Sequence, residues 1–262
     1  MRTPGTNSTR SKMPWMVATA SGVSFGSMNL AILSVFHGRP ALSRIWVDHT
    51  APLGRIYASC TDGDAENVNI LAGHTFTEVP NEPLGRKHNA ALSLVPKDAD
   101  AVIILPSDDF VHPSYLFEAL ELIRGGVDYV FPSTCGMYDV ATGQSCILHQ
   151  PPSEGALRFG AGRVVSRRVL DAVGPLWTDT KAQGLDTDSH SRIRAHGFKA
   201  SFVSLGDNVP CLTDVKSGTN IWPYHTWARK GRSLGVDAVL GHLSAVHRAQ
   251  VLALAKVLHI MA

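Results

Sequence analysis

The sequence predicts a layered α/β fold built on a mostly parallel central sheet flanked by helices, and three observations carry that reading. Short apolar runs alternate with segments of helical apolar spacing from Arg55 to Pro132, the signature of β-α-β units. The acids Asp62, Asp64, Asp108 and Asp109 fall just past the ends of such runs, where ligands gather in sheets of this kind. No internal repeat or low-complexity linker interrupts the pattern.

Taken in order, residues 1–13 are polar and basic and read as a flexible tail. Trp15 to Ser21 is short and apolar and reads as a first buried strand closed by a Ser21-Gly22 turn, followed by a helix over Ser27 to Phe36. Arg44 to Val47 has the composition of a further strand. Arg55 to Thr61 reads as the second strand, running into Asp62-Gly63-Asp64, with a helix over Ala65 to Leu71. Thr75 to Val79 alternates as a strand does, and Gly85 to Val95 has helical spacing. Ala101 to Leu105 is a buried strand ending at Pro106-Ser107-Asp108-Asp109, with a helix starting near Pro113.

The second half is less regular. Asp128 to Pro132 and Lys199 to Ser204 read as strands, and Pro151, Pro152 and Gly155 mark a loop. Gly160-Ala161-Gly162 precedes a helical segment from Ser166 to Val173. Asp186 and Asp188 lead into a helix over Ser189 to His196, ended by Gly197. From Val236 onward, Val236, Val239, Leu240, Leu243, Val246, Leu254, Val257 and Leu258 fall on one helical face, which suits packing on the parent domain or on a homodimer mate. The expected organisation is a tail (1–13), one domain (14–235) with halves 14–132 and 133–235, and an amphipathic C-terminal helix (236–262).

Composition narrows the function classes. At 262 residues and 44% hydrophobic, the chain can bury a core without disulfides. Cys60, Cys135, Cys146 and Cys211 lack C-x-x-C spacing, which argues against a structural zinc site and makes a reducing, cytoplasmic location the expectation. No apolar stretch is long enough for a transmembrane helix, and no secretory h-region follows the tail. A net charge of +2 with no dense basic block does not call for nucleic acid.

Two adjacent acids at the end of a buried strand admit two readings. Hard cations such as Mn²⁺ or Mg²⁺ bind through one or two carboxylates while phosphate oxygens complete the shell, so Asp108 and Asp109 suit a cation carrying a phosphorylated ligand. Adjacent strand residues point to opposite faces, so both acids serve one ligand only if the backbone turns there. Alternatively, either acid caps the following helix. Asp186 is likewise either a site carboxylate or a helix cap, and Asp62 a ligand contact or part of an Asp-Gly turn.

Asn81 to Asn89 (Asn-Glu-Pro-Leu-Gly-Arg-Lys-His-Asn), Pro106-Ser107-Asp108-Asp109, Gly160-Ala161-Gly162 and Gly184-Leu185-Asp186-Thr187-Asp188 with Arg192, Arg194 and Gly197 occur in the order seen in GT-A fold nucleotide-sugar glycosyltransferases. The chain resembles the inverting family 2 of these enzymes over roughly residues 14 to 205. The resemblance implies a nucleoside-diphosphate sugar, UDP-linked by preference, as donor. It implies donor contacts at Ala18, Thr19, Ala20, Ser21, Asp62, Gly85, Lys87, Ser107, Asp108 and Gly162. It further implies a Mn²⁺ or Mg²⁺ ion on Asp108, Asp109 and a late histidine, His225, with Asp186 as catalytic base and Asp188 as its substitute. The chain departs from the family pattern at Leu185, where Glu is usual, and at Ser107, where the metal motif has Asp.

Two other classes compete. A sugar-nucleotide nucleotidyltransferase expects a Gly-bearing loop with a basic residue after the first strand, and Ser21-Gly22-Val23-Ser24-Phe25-Gly26 has no basic residue. A non-catalytic nucleotide- or carbohydrate-binding module would keep the fold and lose turnover. Glycan, lipid-linked glycan, protein side chain and modified DNA base all offer an acceptor hydroxyl, and no motif selects among them.

Overall fold

The computed structural model describes residues 18–19, 22–23, 28–150, 159–218, 220 and 223–261. Two-residue strands β1 (Ala18–Thr19) and β2 (Gly22–Val23) pair only with each other. The sheet proper starts at β3 (Leu30–Phe36), then come α1 (Pro40–Thr50), a short 3₁₀ turn, β4 (Arg55–Thr61), α2 (Ala65–Ile70), β5 (Thr75–Val79), α3 (Leu84–Ser93) and β6 (Ala101–Ile104). Next follow β7 (Asp109–Val111), α4 (Pro113–Arg124), β8 (Tyr129–Pro132), β9 (Thr134–Asp139), β10 (Ser145–His149), β11 (Val164–Ser166), α5 (Arg167–Val173) and α6 (Leu185–Ala195). The chain closes with β12 (Ala200–Val203), β13 (Leu212–Lys216), α7 (Tyr224–Ala228), β14 (Arg232–Ser233), α8 (Val236–Val239) and α9 (Ala245–Met261).

Seven strands form the central sheet in the order β12-β8-β11-β6-β3-β4-β5. The pairings β3–β4, β4–β5, β3–β6 and β8–β12 are parallel, and β11 alone inserts antiparallel, between β6 and β8. This is the mixed α/β, Rossmann-like, mostly parallel sheet that the sequence predicts. From β3 the chain builds outward through β4 and β5, then returns to place β6 on the other side of β3. That reversal opens a crevice beyond the carboxyl ends of β3 and β6, the place where open α/β sheets bind ligands.

The region before β4 corrects the sequence reading. Ser27 to Phe36 was expected to be helical, yet Leu30–Phe36 is the central strand. Its apolar run fits a helix period as well as a strand, and burial decides between them: neighbours on both sides and helices on both faces suit a continuous apolar strand. Trp15 to Ser21 therefore does not supply the first strand of the sheet; its described part, Ala18–Thr19, lies in the separate hairpin. Arg44 to Val47 lies within α1, where Leu42, Ile45 and Trp46 face the core at helical spacing.

A second, five-stranded sheet runs β14-β10-β9-β13-β7. Strand β7 begins only a few residues after β6 ends, so the chain leaves one sheet and enters the other across Pro106-Ser107-Asp108. The second sheet was not legible beforehand, because its strands are short and broken by turns. One core lies between the central sheet and α1, α4 and α9; another lies on the opposite face under α3, α5 and α6. The C-terminal stripe, expected as one helix, is split into α8 and α9. Val239, Leu240, Leu243 and Val251 are buried in the α1 core, while Val246 is 65% exposed. Among the described residues no helix is long and apolar enough to cross a membrane, and all four cysteines are free and buried.

Candidate active site at the carboxyl edge of the sheet

The crevice is built from the loop after β3. Gly38 and Arg39 both adopt left-handed backbone (φ 56° and 54°), turning the chain into α1 with Pro40 at its first position. A non-glycine residue there costs about 1 kcal/mol. The turn aims the Arg39 guanidinium across the crevice, where Nη1 donates to Asp108 Oδ2 at 2.7 Å and Nη2 to Ser107 Oγ at 3.4 Å. The Gly38 N–H donates to Asp64, which also caps α2, so Asp64 braces the loop. Asp62 stands exposed beside it, past the end of β4.

Asp108 and Asp109 meet different fates. Asp108 accepts from Arg39 and, at 2.6 Å, from Asn220 Nδ2; burial raises its pKa, but Arg39, Lys216 and Asn220 outweigh that and hold it below the usual carboxylate range. The Asp109 carboxyl, on a residue only 5% exposed, accepts no hydrogen bond among the described residues. Strand pairing sets Asp109 directly opposite Asp214 of β13, so the two carboxyls share a face. Burial raises the Asp109 pKa well above normal, with Asp214 and Asp108 adding to it; burial pushes Asp214 up to about 6 despite its ion pair with Lys216. Among the described residues Asp214 Oδ1 is itself buried without a partner. Two crowded carboxyls of this kind either share a proton or accept a cation.

The donor set therefore fits a divalent cation. Among the described residues no three carboxylate, imidazole or thiol groups converge to hold a metal by themselves. A cation at Asp109 and Asp214 would thus take part of its shell from phosphate oxygens, the usual habit of Mg²⁺. Neither acid caps a helix, since His112 caps α4 through Nδ1, which accepts from Ser114 N.

Asp186 reaches the same edge by another route. Gly162 N donates to Ile104 O at the end of β6, and Tyr115 Oη donates to Gly162 O at 2.6 Å, which fixes the Gly160-Ala161-Gly162 segment beside the crevice. Gly162 needs its left-handed φ of 75° for that turn. The Asp186 carboxyl accepts the Gly160 N–H, and a Cβ at residue 160 would lie 1.7 Å from Asp186 Oδ1. Helix α6 starts at Leu185, four residues before the expected Ser189, so Asp186 lies within the first turn rather than capping it. Asp186 is open to solvent on one side, yet crowding by the protein is the largest influence on its pKa and raises it, opposed by Arg163 and the Gly160 N–H.

Several expected site residues are engaged elsewhere. Lys87 is 1% exposed, and its ammonium donates to Phe36 O, Thr61 Oγ1 and Asn81 Oδ1, tying three strand ends together rather than meeting phosphate. Gly85 packs against the 178–181 loop, where a Cβ would lie 2.2 Å from Thr178 O, leaving no room for a donor. Asp188 holds that same loop through Thr178 and Lys181, which removes it as a substitute base. His225 is exposed on α7, and no hydrogen bond or ion pair joins it to the acids among the described residues. Ala18 and Thr19 lie in the small hairpin away from the central sheet's strand order, and Ala20 and Ser21 lie outside the described residues.

Arg39, Asp214, Lys216 and Asn220 are the site residues that sequence reasoning missed. Arg39 was hidden by the helical reading of β3; had that strand been recognised, Gly38-Arg39 would have stood out as the loop at its carboxyl end. A cavity of about 430 Å³ opens at the opposite edge of the sheet, beside Asp100, Arg124, Arg167 and Arg168. Its arginines already bond Glu121, the Pro96 and Ala99 carbonyls, and Asp128.

No protein-family model and no curated protein matches the chain. Solved structures do. The CMP:2-keto-3-deoxy-manno-octonic acid synthetase in complex with CTP matches at 11% identity and a TM-score of 0.45, over 78% of this chain and 96% of that one. The Francisella tularensis 2-C-methyl-D-erythritol 4-phosphate cytidylyltransferase matches at 10% identity and a TM-score of 0.44, over 73% and 94%. Rv0371C of Mycobacterium tuberculosis H37Rv, in complex with manganese, matches at 13% identity and a TM-score of 0.43, over 78% and 97%.

Proposed function

We propose that the protein is a nucleotide-dependent transferase that moves a sugar from a nucleoside-diphosphate sugar to an acceptor hydroxyl. The observation that carries this reading is the separation of two acidic stations on one edge: Asp109 with Asp214, and Asp186 in its own recess. Arg39 supplies fixed positive charge at the first station and orders Asp108. A divalent cation held by Asp109 and Asp214 would neutralise charge growing on the departing diphosphate.

An attacking hydroxyl must shed a proton, and Asp186 is a carboxylate with raised pKa, open to solvent and held by a backbone N–H, as a general base requires. Displacement by a hydroxyl so activated inverts the anomeric centre. Asp62, exposed at the end of β4, is available to accept from a pyrimidine N–H, which supports a uridine donor.

A second reading, nucleotidyl transfer to a phosphate or carboxylate acceptor, is favoured by the His37-Gly38-Arg39 loop. This loop supplies the glycine and basic residue after the first central strand that such chemistry uses. An anionic acceptor needs no base, so Asp186 separates the two. Incubation with Mn²⁺ and a panel of sugar nucleotides and acceptors should release nucleoside diphosphate, and Asp186→Asn should abolish transfer. Pyrophosphate release from a nucleoside triphosphate, unaffected by Asp186→Asn, would establish the second reading instead. Ligand binding without either product would identify a binding module.

A further inference from the structure

Arg163 is the largest charged side chain sealed inside the protein, at 0% exposure. Its guanidinium lies 4.7 Å from the centroid of the Phe131 ring. Nη1 donates to Ser189 Oγ at 2.7 Å and Nη2 to the Asp186 carbonyl at 3.2 Å, while Nε has no partner among the described residues. Ser189 in turn donates to Leu185 O. The bonds thus hold the N-terminal end of α6, the Asp186 carbonyl directly and Leu185 through Ser189. No carboxylate forms a salt bridge with Arg163 among the described residues, although a buried guanidinium without a counter-charge is costly. Asp186 is the acid that acts on it, and Arg163 is the charged side chain that acts on Asp186. Of the other groups nearby, Lys181 is taken by Asp188, and the hydroxyls of Tyr115 and Tyr129 bond Gly162 O and His190.

We propose that Arg163 is the positioning residue of the site: by two bonds it fixes the N-terminal end of α6, and it places a buried positive charge beneath the turn that bears Asp186. The charge reaches a carboxylate that water also reaches, so the pair works as a preset base rather than a closed ion pair. The inference deepens the reading of Asp186 as the base of the transfer and rests on it.

The test is a carbon-detected NMR titration of the Asp186 carboxyl in the full chain, assigned by its loss in Asp186→Asn and run on wild type, Arg163→Lys and Arg163→Gln. Removing the charge should raise the midpoint by about one pH unit, a tenfold change in proton affinity, and Arg163→Lys should restore most of it. An unmoved midpoint in a folded Arg163→Gln would overturn the proposal. Should Arg163→Gln not fold, Arg163→Lys carries the test through transfer kinetics. It keeps the charge but not the fork, so kcat should fall about tenfold with donor KM unchanged, and an unchanged kcat would overturn the proposal. The titration does not need turnover; absence of transfer by wild type would count against the function and leave the Arg163–Asp186 coupling measurable.

Discussion

Two places at the carboxyl edge of the sheet bury charge, and they do so in opposite ways. At the Lys87 knot an ammonium is surrounded by three oxygen acceptors from Phe36, Thr61 and Asn81, each within hydrogen-bond distance. At the Asp109–Asp214 pair two carboxyls face each other across a β-ladder; among the described residues one oxygen of Asp214 has no partner while the other meets Lys216, and Asp109 accepts no hydrogen bond. A satisfied buried charge holds a fold together; an unsatisfied one stores repulsion that a ligand can relieve. The contrast separates structural from functional residues where residue type alone does not.

The largest expected effect breaks that contrast outright. Asp109→Asn should reduce transfer by on the order of 100-fold or more, because weakening the hold on the cation that would answer the diphosphate forfeits about 3 kcal/mol of transition-state stabilisation. The same variant should melt no lower than wild type at neutral pH, since it removes a like-charge contact. Lys87→Met should do the reverse, losing about 3 kcal/mol of stability as charge-assisted bonds vanish and their acceptors are stranded. Denaturant titrations of both variants beside steady-state kinetics compare the two directly. A destabilised Asp109→Asn protein would remove the distinction.

Acidification sharpens it next. Asp214 titrates near 6, above the usual 3.8, so its contribution to stability is present at low pH and is lost as pH rises through 6. A histidine cluster behind the site has the opposite sign. His112, His242, His49 and His247 form a chain with ring centroids 5.3, 6.5 and 5.3 Å apart, joining α1, α4 and α9. Burial, reinforced by the neighbouring imidazoles, pushes His49 down to about 4 and His242 to about 3. Their stability is intact above 6.5 and is lost as pH falls from there toward 4 and 3, at up to about 1.4 kcal/mol per pH unit for each histidine. Wild type should therefore lose stability as these histidines take up protons below pH 6, and His49→Gln should make that slope shallower by up to about 1.4 kcal/mol per pH unit. A slope unchanged in His49→Gln would place the proton uptake elsewhere.

The smallest effect tests the knot from its other side. Thr61→Val removes one of three acceptors while Lys87 keeps two, and should cost about 1 kcal/mol with little change in transfer. Thermal melts and initial rates on the same preparation would show it.

The sequence revealed one station and obscured the other. Asp108-Asp109 stood out because a long apolar run ends there, and Asp186 because Gly184 and the helix behind it frame it. Asp214 sits mid-strand in a five-residue segment whose partners, β7 and β9, are distant in the chain, so no local pattern marks it. Lys87 was expected at the donor because helical spacing cannot show that the strand ends of β3 and β4 close over it. Leu30–Phe36 was misread because an apolar run with neighbours on both edges and both faces lacks the alternation that distinguishes a strand, and the loop carrying Arg39 was misplaced with it. From β4 to β6 the alternation was clear, and the order of elements there was legible.

Calorimetric titration of Mn²⁺ in the presence of UDP, on wild type, Asp109→Asn and Asp214→Asn, tests most directly whether the facing acids Asp109 and Asp214 form a cation–phosphate station. The account predicts Mn²⁺ binding to wild type that requires the nucleotide and is lost in both variants. Equal binding in wild type and either variant would contradict it.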